Sequence, residues 1–219
     1  MEQSALFSIT YGVYILGVEY EGKKNACVIN TLSQLTQEPI KVSITVLKKN
    51  LTHDMILNSK KFSVSILSKY APLDTIARFG FKSGKETDKL EGFNYKTDLL
   101  KNPIIEDGAV ANISCKVVNS IDLGSHTLFI ADVVDGYKLK DEESMTYAYY
   151  RDLKMGKVSN EKLPEKQKDK DIVETDKAKP MYQCSVCHYV YDGDIPFEEL
   201  DEDYLCPLCN QPKSAFVKK

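Results

Sequence analysis

No run of apolar residues in this 219-residue chain approaches the roughly twenty that a bilayer span needs, so a membrane-crossing helix is not expected. The segment Met1-Glu2-Gln3-Ser4 lacks the basic stretch that precedes the apolar core of a secretory leader, and the expected location is the cytoplasm, away from membranes. A basic excess is missing too. Twenty-nine Lys and Arg against 32 Asp and Glu leave a net charge of -3, which argues against a nucleic-acid partner. No Gly-x-Gly-x-x-Gly follows a strand pattern, so a dinucleotide is not expected to sit in a Rossmann crossover, and no internal repeat is visible. What remains is an ordinary globular composition, 42% hydrophobic and 28% charged, in a chain long enough for two modest domains.

Cysteine is sparse but not scattered. Four of the six form two Cys-x-x-Cys pairs, Cys184 with Cys187 and Cys206 with Cys209. Such pairs can fold back to set four thiolates at the corners of a tetrahedron around one ion, and four thiolates suit iron and zinc alike. Disulfides are the weaker reading without a secretory context. Cys27 and Cys115 stand alone in strand-like runs and read as small buried hydrophobes with no chemistry.

Most of the first 150 residues carry strand patterns. Residues 6 to 20 are rich in β-branched and aromatic types, a polar turn at Glu21 to Asn25 leads into Ala26 to Thr31, and Ile40 to Val46 alternates apolar with polar. Thr52 is placed to cap a short helix whose apolar face starts with Met55 and Ile56. Phe62 to Leu67 reads as strand, and Leu73 to Phe79 as a helix between Pro72 and Gly80. The polar stretch Lys82 to Asn94 looks like an excursion. Val110 to Ile121 and His126 to Val134 are two strands joined by the turn Asp122-Leu123-Gly124-Ser125. The expected fold is mainly β: an antiparallel barrel with short helices. From Lys157 to Lys179 large apolar residues nearly vanish, predicting a charged flexible linker with a random-coil reach of roughly 25 Å. The domain expectation is therefore 1–156, a linker 157–179, and a small metal domain 180–219.

The flanks of the cysteine pairs narrow the choice of module. Tyr182-Gln183-Cys184-Ser185-Val186-Cys187-His188-Tyr189-Val190-Tyr191-Asp192-Gly193, answered by Cys206-Pro207-Leu208-Cys209 behind an acidic segment, closely resembles rubredoxin. The resemblance implies that the four cysteines hold one iron ion that carries a single electron. Three features depart from the rubredoxin pattern. His188 and Asn210 stand where glycine is usual, though both types tolerate positive φ; the loop between the pairs is short; and Tyr204 replaces the common tryptophan. A structural zinc ribbon stays open as the alternative. Asp192, Asp194, Glu198, Glu199, Asp201, Glu202 and Asp203 crowd the loop between the knuckles, as a docking face for a basic partner or simply for solubility.

Asn25-Ala26-Cys27-Val28-Ile29-Asn30-Thr31-Leu32-Ser33, then Thr45-Val46-Leu47-Lys48-Lys49-Asn50-Leu51-Thr52-His53, Ala77-Arg78-Phe79-Gly80 with Asp88-Lys89, Gly124-Ser125-His126-Thr127, and Tyr147 to Tyr150 together resemble the flavin reductase-like, FMN-binding split barrels. That resemblance implies FMN with its ring edge along Asn30, Thr31, Leu32 and Ser33, with Thr45 on the next matching segment. A phosphate dianion suits a lysine, hydroxyls and N–H groups where a strand gives way to a helix, which Lys48, Asn50 and Thr52 supply. His126 matches a histidine near flavin and nicotinamide and is the catalytic candidate. His53 reads as a surface residue and Arg78 as a side chain snorkelling over Phe79. Barrel and module in this order resemble the high-molecular-weight rubredoxins of anaerobic bacteria. The resemblance implies electrons passing from NAD(P)H through FMN and iron to a flavodiiron protein that reduces dioxygen or nitric oxide, in a homodimer. Two other readings remain: an FMN barrel carrying a zinc ribbon, and an electron carrier with no NAD(P)H activity of its own.

Overall fold

The computed structural model describes residues 3–159, 181–187, 189–191, 193, 195–207 and 209–218. The expected linker from residue 160 onward lies outside them, as do His188, Asp192 and Asp194. Two compact units emerge, Met1–Tyr150 and Arg151–Lys219. Among the described residues no helix is long and apolar enough to cross a membrane.

Nine strands and three helices follow one another up to residue 154: β1 (Tyr14–Tyr20), β2 (Lys23–Ile29), β3 (Ser33–Gln37), β4 (Ile40–Leu47), α1 (Leu51–Ser59), β5 (Lys61–Leu67), α2 (Leu73–Phe81), β6 (Lys96–Thr97), β7 (Pro103–Ile104), β8 (Ala109–Asp122), β9 (His126–Lys138) and α3 (Tyr147–Lys154). Seven strands make one antiparallel sheet in the order β2-β1-β5-β8-β9-β4-β3. Leu16, Cys27, Ile44, Phe62, Cys115 and Phe129, from strands spread across that order, share one buried cluster with Met55 and Ile56 of α1. A sheet whose distant strands meet in one core has curled on itself, which is the barrel. A second cluster, including Ile15, Leu67, Ile76, Phe79 and Ile105, packs α2 against the sheet. Fully burying side chains of this size contributes about 1.5–3 kcal/mol each.

Several sequence expectations give way here. The first strand does not begin at residue 6: Gln3–Ser8 is a 3-10 turn and β1 starts at Tyr14. The cause is register, since Tyr14 pairs with Ile29, the last residue of β2, and nothing earlier has a partner on that side. The hairpin is also tighter than the five-residue polar turn. Glu21 and Gly22 alone make it, at φ 50° and 80°, the pair of positive values that a two-residue hairpin with the native twist requires. β3 has one apolar residue in five and is exposed throughout, so nothing in its pattern marked it as strand. Helix α2 runs through Gly80 to Phe81.

The segment after α2 is an excursion without helix or strand as far as Tyr95, but it is fastened. Arg78 does not snorkel. Its Nε donates to the Lys89 carbonyl at 2.7 Å, its guanidinium also reaches the Glu91 carbonyl, and it lies 5.3 Å from the Phe93 ring centre.

The second unit pairs β10 (Tyr182–Cys184) with β11 (Phe216–Lys218). Aromatic rings supply its core: Tyr182 stacks on Phe197 at 4.4 Å, with Phe216, Tyr191 and Tyr204 around Phe197. Tyr204 thus fills an aromatic position in a chain without tryptophan. Asn210 has φ 55°, so it does take the conformation expected where rubredoxins place glycine.

Candidate metal and cofactor sites

Two short turns carry the cysteine pairs. Cys184 N–H donates to the Tyr189 carbonyl and Cys206 N–H to the Gln211 carbonyl, closing each Cys-x-x-Cys into a knuckle. The four sulfurs lie within 4.8 Å of one another, with Cys184 and Cys209 Sγ 3.7 Å apart and Cys187 and Cys206 Sγ 3.5 Å apart. A tetrahedron of metal–thiolate bonds about 2.3 Å long has edges of about 3.8 Å, and a disulfide would need about 2.05 Å. The spacing is that of ligands to one ion.

Burial pushes the Cys187 thiol up, against the Tyr189 N–H that favours its thiolate. Burial also raises Cys184, but the N–H groups of Cys187 and Val186 and the neighbouring sulfurs outweigh it and hold that thiol below its ordinary range. N–H groups aimed at sulfur stabilise thiolate charge, and a bound cation supplies the rest. The donor set fits a four-thiolate iron or zinc site.

Two of the FMN expectations, Asn50 and Thr52, meet at the start of α1, though not in the way expected. Thr52 is no cap: α1 begins at Leu51, its N-cap position is Asn50 without a side-chain cap bond, and Thr52 lies buried one residue inside. Its hydroxyl accepts from Asn25 Nδ2 at 2.9 Å. Asn25, Asn50, Thr52, Ser83 and Lys89 line a cavity of about 260 Å³. Only Asn50 and Thr52 of that group were picked out by sequence. Lys89 is 3% exposed, and among the described residues its ammonium donates one hydrogen bond, to the Phe79 carbonyl at 3.2 Å. Burial pulls its pKa down, partly offset by the nearby Cys27 thiol. An ammonium has three donors, so an anion in the cavity would satisfy it and favour its charge. A Cβ on Gly84 would fall 2.6 Å from the Asn25 amide oxygen, so glycine lets the loop close over this wall. At this volume the cavity suits one end of a flavin nucleotide rather than the whole. A groove of about 790 Å³ adjoins it, sharing Asn25, Leu51 and Gly84.

The remaining predicted residues surround the end of β4. Thr31 Oγ1 donates to the Thr45 carbonyl at 2.8 Å and accepts from Thr45 N–H at 3.0 Å, so these two residues brace one another. Asn30 and Leu32 flank Thr31, half-buried, and Leu32 packs on the barrel core. Ser33 is exposed at the start of β3. Lys48 is not on the cavity; its Nζ lies 2.6 Å from Asp122 Oδ1, and its N–H bonds the Ser125 carbonyl. His126 opens β9 opposite Leu47, with Nδ1 2.8 Å from Ser125 Oγ.

His53 is not a surface residue. It is 5% exposed, Nδ1 is 2.9 Å from Asp54 Oδ1, and Nε2 is 2.8 Å from Thr127 Oγ1. Its charged neighbour Asp54 suggested exposure, but the helix turns the ring inward against Phe129. Cys27 and Cys115 are buried as expected, and burial pushes the Cys115 thiol to about 12.

An antiparallel barrel with a basic phosphate-sized recess, joined to a four-sulfur knuckle, defines a class: flavin-dependent electron-transfer proteins. Comparison with known proteins gives the family. The flavin reductase like domain matches residues 6–156. A high molecular weight rubredoxin of Moorella thermoacetica is 38% identical over 99% of both chains. A ferric-chelate reductase (NAD(P)H) of Archaeoglobus fulgidus is 41% identical over 72% of this chain and 94% of its own length. Flavin reductase HpaC, solved with NADP+, superposes at a TM-score of 0.58 with 25% identity, covering 66% of this chain and 90% of that one. The chain belongs to the flavin reductase-like domain family and, taken whole, to the high-molecular-weight rubredoxins. It is a flavoprotein oxidoreductase whose cofactors are FMN and one iron ion.

Proposed function

We propose that this protein oxidises NAD(P)H and delivers the electrons, by way of FMN in a domain of residues 1–156 and iron in a domain of residues 180–219, to a separate redox protein such as a flavodiiron oxygen or nitric oxide reductase. The observation that carries this is the presence in one chain of an under-bonded buried ammonium beside the start of α1 and four sulfurs spaced for a single ion. When bound, flavin supplies the exchange between a hydride's electron pair and single electrons, and the iron site a one-electron store.

The residues divide the work. Lys89, Thr52, Asn25 and the N–H groups at the start of α1 hold the phosphate, while Lys48, paired with Asp122, steadies the turn that carries His126. Asn30, Thr31, Leu32, Ser33 and Thr45 border the ring. Thr31 and Thr45 hold that border rigid through their mutual bonds, so the ring edge meets fixed backbone groups. His126, at the start of β9, orients the nicotinamide. Position is the protein's whole contribution to hydride transfer, because no proton need move at that moment. Cys184, Cys187, Cys206 and Cys209 hold the ion, and the N–H groups around them set how readily it accepts charge. A homodimer in the cytoplasm completes the reading.

The test is anaerobic mixing of iron- and FMN-loaded protein with NADH or NADPH while the visible spectrum is followed. Both the flavin and the ferric thiolate bands bleach; flavin bleaching over an unchanged metal band overturns the relay. A colourless, zinc-holding preparation favours the structural ribbon. Silence to both nucleotides, with fast reduction by a reduced protein donor, favours the carrier.

A further inference from the structure

His53 joins two parts of the barrel that the proposed reaction uses separately. Asp54 offers only acceptor oxygens, so Nδ1 is the nitrogen that donates, and in the neutral tautomer that this selects, Nε2 is the acceptor. The Thr127 hydroxyl therefore donates to Nε2, and it does so in a nearly dry setting, since His53 and Thr127 are 5% and 6% exposed. His53 N–H in turn closes the first turn of α1 on the Asn50 carbonyl, and Asn50 and Thr52 wall the anion cavity. Thr127 follows His126 on β9 and pairs with Val46 of β4. The chain Asp54–His53–Thr127 thus runs from the first turn of α1, next in sequence to the residues that wall the cavity, to the strand that presents His126. On the exposed side the same corner is tied by the Lys48 N–H bond to the Ser125 carbonyl and by the Lys48–Asp122 ion pair, which solvent screens.

We infer that His53 is a positioning residue for hydride transfer: through Thr127 it fixes the start of β9, and so the place of His126, relative to the helix that holds the cofactor phosphate. The inference rests on the reading of His126 as the residue that orients the nicotinamide. A hydroxyl–imidazole bond in a buried corner is short and directional, and its loss lets the strand start drift without exposing the core.

Side-chain amides separate this role from plain packing. In His53→Gln the terminal amide reaches the place of Nε2 and keeps a partner for Thr127; in His53→Asn it reaches the place of Nδ1 and keeps only Asp54. The expected result, in the full-length FMN- and iron-loaded protein, is a KM for NAD(P)H raised roughly three- to tenfold in His53→Asn and Thr127→Val, the worth of one hydrogen bond. His53→Gln restores the wild-type KM, and FMN affinity matches across the set. KM changes that follow melting temperature, with Gln no better than Asn, make His53 a packing residue and overturn the inference. His126→Ala is measured beside them. If it raises KM while Thr127→Val does not, this inference alone fails; if it changes nothing, the reading of His126 fails and takes the inference with it.

Discussion

Lys89 is buried with one hydrogen bond, to the Phe79 carbonyl, among the described residues, and in the proposed function a negative ligand is what favours its charged form. A lone buried ammonium weakens a fold, so Lys89→Met leaves the melting temperature of the cofactor-free protein unchanged or higher. The same change removes a charged donor from the phosphate, worth about 1.5–3 kcal/mol, so the Kd for FMN rises roughly ten- to a hundredfold in a fluorescence titration. A melting temperature that falls while FMN affinity holds would make Lys89 purely structural. Glu19 behaves differently. Its carboxylate bonds Lys61 Nζ at 2.5 Å and accepts from Gly22 N–H at 2.6 Å, and Lys61 first and Gly22 second hold its pKa below the unfolded value of 4.5. A depressed carboxylate pKa adds stability above the unfolded value, and that stability is lost as pH falls through the folded one. Glu19→Gln is therefore expected to cost about 1–2 kcal/mol at neutral pH, with urea midpoints of the two proteins converging in acid. Neither residue's role was legible in the sequence. Lys89 was quoted only as part of a resemblance and Glu19 not at all, because each depends on partners far along the chain. Cysteine ligands were legible because their spacing is local, whereas the capping role expected of Thr52 fails because Asn50 holds the N-cap position.

At the scale of elements, alternation made the difference. β4, β5, β8 and β9 are strands with strong apolar patterns, and sequence found them within a few residues. β3 is a polar edge whose existence depends on β4 lying beside it, and no local signal announces that. Helix α1 was found, but which of its faces points inward was misjudged at His53, since a histidine beside an aspartate reads as polar surface until tertiary packing turns it. The β8–β9 ribbon carries exposed Val118, Ile121 and Leu123 near its turn, the kind of apolar surface that a subunit contact covers. In the proposed homodimer, Ile121→Lys shifts the mass measured by light scattering toward the monomer; an unshifted dimer places the contact elsewhere. In the knuckle module, aromatic packing and metal must share the work, since so small a unit lacks core enough to stand unaided. Cys206→Ser, at a fully buried ligand, is expected to abolish the ferric thiolate colour and the near-ultraviolet signal of the stacked Tyr182 and Phe197, while FMN binding persists. Loss of FMN binding in that variant would mean that the two units do not fold independently.

For the whole molecule, the question is why barrel and knuckle share one polypeptide. The sequence between them is charged and poor in large apolar residues, and under the proposed relay a flexible connection of that length would set the two centres at an effective concentration in roughly the millimolar range. Two free proteins at micromolar levels would meet in a second-order reaction whose rate falls on dilution. A tether turns the same encounter into a first-order event. The expected outcome of stopped-flow reduction by NADH or NADPH is thus a metal-band bleaching rate, measured after the flavin band has fallen, that stays constant over a hundredfold dilution of protein. Mixing Cys206→Ser protein, which can reduce its flavin, with full-length protein lacking FMN supplies the second-order comparison: there the metal band should bleach more slowly at low concentration and in proportion to it. A dilution-dependent rate in the intact chain would show that electrons cross between molecules, and the fusion would then serve to hold the two centres in fixed ratio rather than to bring them together.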